Sequence, residues 1–318
     1  MTRQELKNHS IYALVKGLSL LMRALPLPWA RMLGAALGRL FFSLVPYERR
    51  KALDTFATAF PEKDSAEAGR VCRAAFASLG RGGAEFLRFP SIREAELRSW
   101  VESVDGLEHL RAPLRAGRGV VAVTAHLGNW EVLAARTALE GRVAVVAQRL
   151  YDARFDEALN EYRRGKGITV FKRDTSVKPI LRWLKGGGIL GVLADQDTRV
   201  DSLFVDFFGR AAKTPSGPAW LAQATGAALV TGFIFRQPGG RYRMAFQKEI
   251  PVPSRDEPGA SLKGVVQEYT RRTEEAVRAH PDQWVWMHPR WRSRPEEAPA
   301  DSRPGDRGGA GAQGEGAI

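Results

Sequence analysis

The chain of 318 residues has a single cysteine, Cys72. That excludes an internal disulfide and any thiolate-built metal cage, and it accords with a reducing compartment. Long uncharged apolar runs are missing too. Ile11 to Val45 is rich in Leu, Ala, Phe and Val, but Lys16, Arg23, Arg31 and Arg39 interrupt it, and Pro26 and Pro28 break its middle. A clean transmembrane helix needs roughly 18 such residues in a row, so a spanning helix is not supported. No small-residue cleavage site follows a short apolar core, which argues against a secretory signal. After Pro295 no large apolar residue occurs until Ile318, so residues 296–318 are expected to form a disordered tail. Internal repeats are also lacking.

What remains is an ordinary globular composition, 44% hydrophobic and 26% charged, which permits a sizeable core. The charge is less ordinary. Forty-eight Lys and Arg against 35 Asp and Glu leave a net +13, a balance suited to a polyanionic partner: nucleic acid, an anionic membrane or an acidic carrier protein. The basic residues fall in short groups (Arg49-Arg50-Lys51, Arg163-Arg164, Lys172-Arg173, Arg271-Arg272, and Arg290, Arg292 and Arg294). A merely solvated surface is the competing reading. Nucleic-acid binding would call for a compact basic stripe with stacking aromatics. Trp284, Trp286 and Trp291 instead lie in an apolar C-terminal block, so no nucleic-acid partner is expected.

Residues 1–45 read as two amphipathic helices, about Ile11–Leu25 and Trp29–Leu44, with Leu, Met and Phe on one side and basic residues on the other. That pattern suits an interfacial anchor on an anionic leaflet; a helical hairpin packed on the core is the alternative. Residues 46–295 read as one α/β domain. Helices are expected at Tyr47–Phe60, Ser65–Phe89 and Ile92–Trp100. Strands at 119–125, 143–147, 168–171, 188–194 and 228–235 then alternate with helices at Trp130–Glu140, Asp152–Lys166, Val177–Lys185 and Thr214–Thr225. Such alternation predicts a mostly parallel sheet flanked by helices. Tyr242–Ile250 is expected as an antiparallel strand, and Ser261–Ala279 as a long helix.

The strand ending at Ala125 runs straight into His126-Leu127-Gly128-Asn129-Trp130-Glu131. Ligands gather at the carboxyl ends of strands in such sheets, which places His126 where chemistry is usually done. Gly128 permits a tight turn and Asn129 suits a helix N-cap. Glu131 then falls in the first helical turn, where a strand–turn–helix corner can return its carboxylate to the imidazole. A carboxylate-held imidazole is suited to activating a hydroxyl, and the helix N-terminus can favour an oxyanion. Alternatively, His126 is a structural hydrogen-bonded residue and Glu131 a favourable partner of the helix dipole.

Three blocks occur in order: His126 to Glu131; Leu193-Ala-Asp-Gln-Asp-Thr-Arg199 with Phe204–Arg210 and Thr214-Pro-Ser-Gly-Pro218; and Gln283-Trp-Val-Trp-Met-His-Pro-Arg290-Trp with Arg292. Together they resemble the lipid A late acyltransferases, the lauroyl/myristoyl acyltransferase family, from the N-terminal helices to about Pro295. The resemblance implies a glycerolipid-acyltransferase-like fold on the cytoplasmic face of the inner membrane. It also implies transfer of an acyl chain from an acyl-carrier-protein thioester to a hydroxyl of a lipid A precursor, with no cofactor, metal or covalent acyl-enzyme. His126 would be the base and Glu131 its orienting partner. Arg149, before the Tyr151-Asp152 loop, and Arg163, with Arg173 beside them, would pair with phosphates. Asp195 and Gln196 would position substrate, or instead satisfy loop backbone groups. Lys213 and Thr214, read as opening a helix with Thr214 as N-cap before Pro215, would meet a phosphate. Val205–Gly209 reads as an apolar loop or β-turn that would line an acyl groove, unless Phe207 and Phe208 are core. A phosphatidylinositol mannoside acyltransferase using acyl-CoA would carry a similar core. A thiol hydrolase would need a nucleophile elbow or an apt cysteine, and neither is found.

Overall fold

A computed structural model describes residues 3–149, 152–173 and 176–295, with side chains from residue 12 onward. The expected tail, 296–318, and Tyr151 lie outside these residues. Four helices lead the chain: α1 (Arg3–Ala24), α2 (Leu27–Leu44), α3 (Pro46–Ala59) and α4 (Ser65–Leu87). After α5 (Glu94–Trp100) come β1 (Val101–Asp105), α6 (Leu107–Arg115), β2 (Val120–Thr124), α7 (Trp130–Thr137), β3 (Val143–Ala147), α8 (Ala153–Arg164), β4 (Ile168–Lys172), α9 (Lys178–Lys185) and β5 (Ile189–Leu193). A hairpin of β6 (Ser202–Phe207) and β7 (Arg210–Pro215) precedes α10 (Gly217–Thr225), β8 (Ala228–Arg236), β9 (Tyr242–Phe246) and α11 (Lys263–Ala279).

Among the described residues, seven strands form the central sheet in the order β1-β9-β8-β2-β5-β3-β4. The five from β8 to β4 are mutually parallel. The expected antiparallel strand is β9, which pairs against β8 and carries β1 parallel to itself. Alternation along the strands splits the core in two. Val120, Ala122, Val143 and Ile189 face the layer containing α7, whereas Val121, Val123, Ala144 and Leu190 pack with residues of α9, α10 and α11.

Two expectations need correction. β1 was not foreseen, because its sequence, VESVD, has too few apolar residues to declare a strand. Lys213, Thr214 and Pro215 do not open a helix. They belong to β7, and α10 starts at Gly217 with Ser216 as its N-cap residue. Thr–Pro before an apolar stretch resembles a helix start locally, but pairing with Ser202–Phe204 holds the backbone extended. Phe207 and Phe208 are core: Phe207 stands edge-on to Trp284, 5.9 Å between centroids, and Phe208 edge-on to Phe60 at 5.2 Å.

The N-terminal helices pack with small residues inward. A Cβ on Gly34 would stand 2.4 Å from the carbonyl oxygen of Gly80, and one on Gly80 2.1 Å from that of Gly34, so only glycine allows α2 and α4 to cross this closely. With Ala30, Gly34, Ala35 and Phe42 facing in, α2 turns most of its other large side chains outward. Trp29 and Met32 are each 62% exposed and Leu44 68%, and Leu37, Leu40 and Phe41 lie on the surface with them. Arg31 departs from the expected basic face and turns in to the buried Glu85, 2.6 Å away. Among the described residues no helix is long and apolar enough to cross a membrane.

Candidate active site

His126 and Asp195 meet because their strands are neighbours in register. Thr124 at the end of β2 pairs with Leu193 at the end of β5, and each functional residue follows two positions later. His126 Nδ1 lies 2.8 Å from Asp195 Oδ1. The second carboxylate oxygen accepts the His126 backbone N–H and the Trp284 indole N–H, both at 2.8 Å. Burial alone would raise the Asp195 pKa. The neighbouring imidazole and these hydrogen bonds outweigh it and bring the carboxyl down to about 2. An ionised carboxylate only accepts, so Nδ1 is the donor of this bond and Nε2 is the ring nitrogen left outside it.

The turn holding His126 is fixed from both sides. Gly128 has φ +63°, and a Cβ there would stand 2.1 Å from the Ile234 carbonyl oxygen, so this position requires glycine. Asn129 caps α7 by accepting the Val132 N–H. From the C-terminal block, the Val285 N–H donates to the His126 carbonyl at 3.1 Å and the Gly128 N–H donates to Gln283 at 3.0 Å. The same block holds the loop after β5. The Asp197 N–H donates to His288 Nε2 at 3.1 Å, and the Asp197 carboxylate accepts the Ser293 N–H at 2.7 Å. Burial lowers the His288 pKa, which keeps that nitrogen available as an acceptor.

The ring's carboxylate partner is therefore Asp195, and the expected contact from Glu131 is not formed. Both Glu131 oxygens are taken by Arg163, Nη2–Oε1 at 2.6 Å and Nε–Oε2 at 3.0 Å. A long flexible cation on α8 can reach the first turn of α7, whereas Asp195 is carried to His126 by strand register. Arg163, expected to meet a phosphate, is thus already paired. Asp195, expected to position substrate, lies beneath the imidazole with 4% exposure. Thr214 is buried and, with the Lys213 carbonyl, accepts from the guanidinium of Arg290. Arg290 belongs to one of the groups read as surface charge, yet it is 1% exposed. Burial lowers its pKa to about 10. Arg149 stands exposed just beyond β3, outside the residues that line the cavity described next.

A cavity of about 460 Å³ opens beside His126. Glu131, Arg163, Gln196 and Arg173 give its rim polar character, and its depth is apolar, bounded by Leu133 of α7, Val145 and Val143 of β3 and Ile189 and Gly191 of β5. Trp130 stands edge-on to the imidazole, with centroids 5.0 Å apart. Sequence reasoning missed Trp284, whose only signal was its place in the C-terminal block. It also missed the Glu85 cluster behind the turn. There Arg31 at 2.6 Å, Arg236 through two bonds of 2.8 Å, Asn129 at 2.7 Å and the Tyr242 hydroxyl at 2.5 Å all donate to one fully buried carboxylate.

Residues 1–293 match the profile of the bacterial lipid A biosynthesis acyltransferases. The chain belongs to that family. Its members move acyl groups, and this chain is an acyltransferase with an acyl donor and a lipid acceptor. It is similar to the phosphatidylinositol mannoside acyltransferase of Mycobacterium tuberculosis, 30% identical over 224 residues and 69% of each chain. It is also similar to the lipid A biosynthesis lauroyltransferase of Escherichia coli, 24% identical over 286 residues, 89% of this chain and 92% of that one. The Escherichia coli lipid A biosynthesis myristoyltransferase is 26% identical over 255 residues, 80% and 78% of the two chains.

Proposed function

We propose that this enzyme transfers an acyl chain from an acyl-carrier-protein thioester to a hydroxyl of a lipid A precursor, with His126 as general base. The observation that carries the reading is an imidazole held by an ionised carboxylate at the mouth of a deep apolar cavity. His126 Nε2 takes the acceptor's hydroxyl proton as the oxygen attacks the thioester carbonyl. The tetrahedral intermediate collapses, the C–S bond breaks, and the imidazolium returns the proton to the departing thiolate. Asp195 orients the ring and stabilises its charged form. The acyl chain lies in the cavity. Arg173, whose side chain has no hydrogen bond or ion pair among the described residues, offers its guanidinium to a donor or acceptor phosphate at the rim. Glu131, paired with Arg163, shapes the cavity wall beside the reacting groups.

A second acceptor is favoured by one observation, the 30% identity to the mannoside acyltransferase. Labelled transfer from acyl carrier protein and from acyl-CoA, to a lipid A precursor and to phosphatidylinositol mannoside, separates the two. Wild-type transfer that falls by roughly 100-fold or more in His126→Ala supports the mechanism; near-normal transfer by the folded variant ends it. The enzyme lies on the cytoplasmic face of the inner membrane through the apolar outer face of α2, with Lys16, Arg23 and Arg39 exposed around it. Cosedimentation with anionic vesicles should weaken when Trp29 and Phe41 are replaced by Ser. Unchanged binding would move the contact elsewhere.

A further inference from the structure

The cavity floor has an uneven profile. Across the sheet, Val145, Gly191 and Ala122 are aligned on β3, β5 and β2. One step nearer the site the aligned residues on β5 and β2 are Leu193 and Thr124, and one step deeper the row is Val143, Ile189 and Val120. The deepest row is closed, with Val143 2% and Ile189 1% exposed. The middle row would also be closed if its central residue had a side chain. Gly191 has none, although it sits in an interior strand, where glycine costs stability.

No packing reason demands glycine there. A Cβ on Gly191 would meet the nearest atom, Val145 Cγ1, at 3.5 Å and the Ala144 carbonyl oxygen at 3.8 Å, both ordinary contacts. By contrast, Gly232 lies under the Phe246 ring, 2.7 Å from where its Cβ would be. The space above Gly191 therefore belongs to the cavity rather than to a neighbouring side chain.

We propose that Gly191 sets the length of acyl chain this enzyme accepts; the proposal rests on the reading that the cavity holds the chain. A strand advances about 3.3 Å per residue, so the row of Ala122 and Gly191 lies about 13 Å below His126, and the closed row at Val120 and Ile189 about 20 Å below it. Carbon–carbon bonds near 1.5 Å advance an extended chain by roughly 1.3 Å per methylene. A chain reaching Gly191 thus has about ten carbons and one reaching the closed end about fifteen. Glycine leaves the second part of the path open, and a side chain at this position would close it.

The test uses the full chain and non-reactive alkyl thioethers of pantetheine with eight to sixteen carbons, titrated by calorimetry. An equimolar mixture of acyl donors, with products read by mass spectrometry, runs in parallel. In the wild type, affinity should rise roughly fourfold per added methylene and level off near fifteen carbons. In Gly191→Val the break should come near ten, and the transferred chains should shorten with it. Gly191→Ala is the milder substitution should Gly191→Val not fold, and it should shift the break in the same direction by one or two carbons. Val143→Ala, at the closed end, should lengthen the accepted chain. An unchanged length profile in folded Gly191→Ala or Gly191→Val overturns the proposal. Wild-type affinity that does not depend on chain length overturns both the proposal and the cavity's assignment to the chain. A break that shifts as expected, without transfer from any donor, supports the role of Gly191 and refutes the proposed reaction.

Discussion

Two buried carboxylates stand on either side of the His126 turn, and they are kept ionised by different means. Glu85 is surrounded by Arg31, Arg236, Asn129 and Tyr242. Burial opposes its charge, but the arginines and hydrogen bonds outweigh that and lower its pKa. Among the described residues no guanidinium bonds to Asp195. Its partners are one imidazole, one indole N–H and one backbone N–H. Permanent cations suit a carboxylate whose task is to join α2, α4, α7 and the end of β8. A partner whose charge can change suits one that works during a reaction, because imidazolium formation then strengthens an interaction already in place. The contrast separates a structural carboxylate from one suited to catalysis, although both are buried and ionised.

Asp195→Asn should give the largest effect. An amide cannot hold the ring as an anion does, and kcat should fall on the order of 100-fold to 10,000-fold in a variant that still folds. Steady-state kinetics on the folded variant checks this, and a near-normal kcat would erase the distinction. Glu85→Gln should do the reverse. Leaving two guanidinium groups without a counter-charge costs about 3–5 kcal/mol, measurable by denaturant titration, while the rate per folded molecule changes far less. Full stability in this variant would show that Arg31 and Arg236 do not depend on Glu85.

Glu131→Gln tests the carboxylate that stands between the two in character. With Arg163 paired to it at the cavity rim, its loss should raise KM by about tenfold through altered substrate positioning, with a smaller change in kcat. A kcat loss as large as that of Asp195→Asn would mean that Glu131 reaches the reacting groups once substrate is bound. A further effect concerns acid stability. The Asp195 pKa is lowered from 3.8 to about 2, so its contribution is complete above pH 4 and is lost as pH falls toward 2. The stability difference between wild type and Asp195→Asn, on the order of 2 kcal/mol, should therefore shrink across that interval. A constant difference would mean that the carboxyl does not titrate there.

Much of the fold was legible because its signals are local. Val143–Ala147 ends where expected, and β2, β4, β5 and β8 fall within a residue or so of the apolar runs that announced them. Asn129 caps α7 as its type and position suggested. The strands of the β6–β7 hairpin were not legible beyond the turn, since Thr214-Pro215 reads locally like the opening of a helix and only its partner strand makes it extended. Arg290 was hidden for a related reason: a basic residue beside exposed neighbours gives no sign that a carbonyl and a hydroxyl await it in the core.

The same division runs through the candidate site. Sequence alone determined that His126 and Asp195 each lie just past the carboxyl end of a buried strand, because strand length and turn residues are encoded over a few positions. It also placed a carboxylate five residues after the histidine, where chain proximity made Glu131 the natural partner. Tertiary structure decided otherwise. Insertion of β5 beside β2, with Thr124 opposite Leu193, brings Asp195 from 69 positions away to within 2.8 Å of the ring, while Arg163 reaches over from α8 to take Glu131. Strand order is settled by the packing of whole layers, and no local pattern around His126 encodes which strand will be its neighbour.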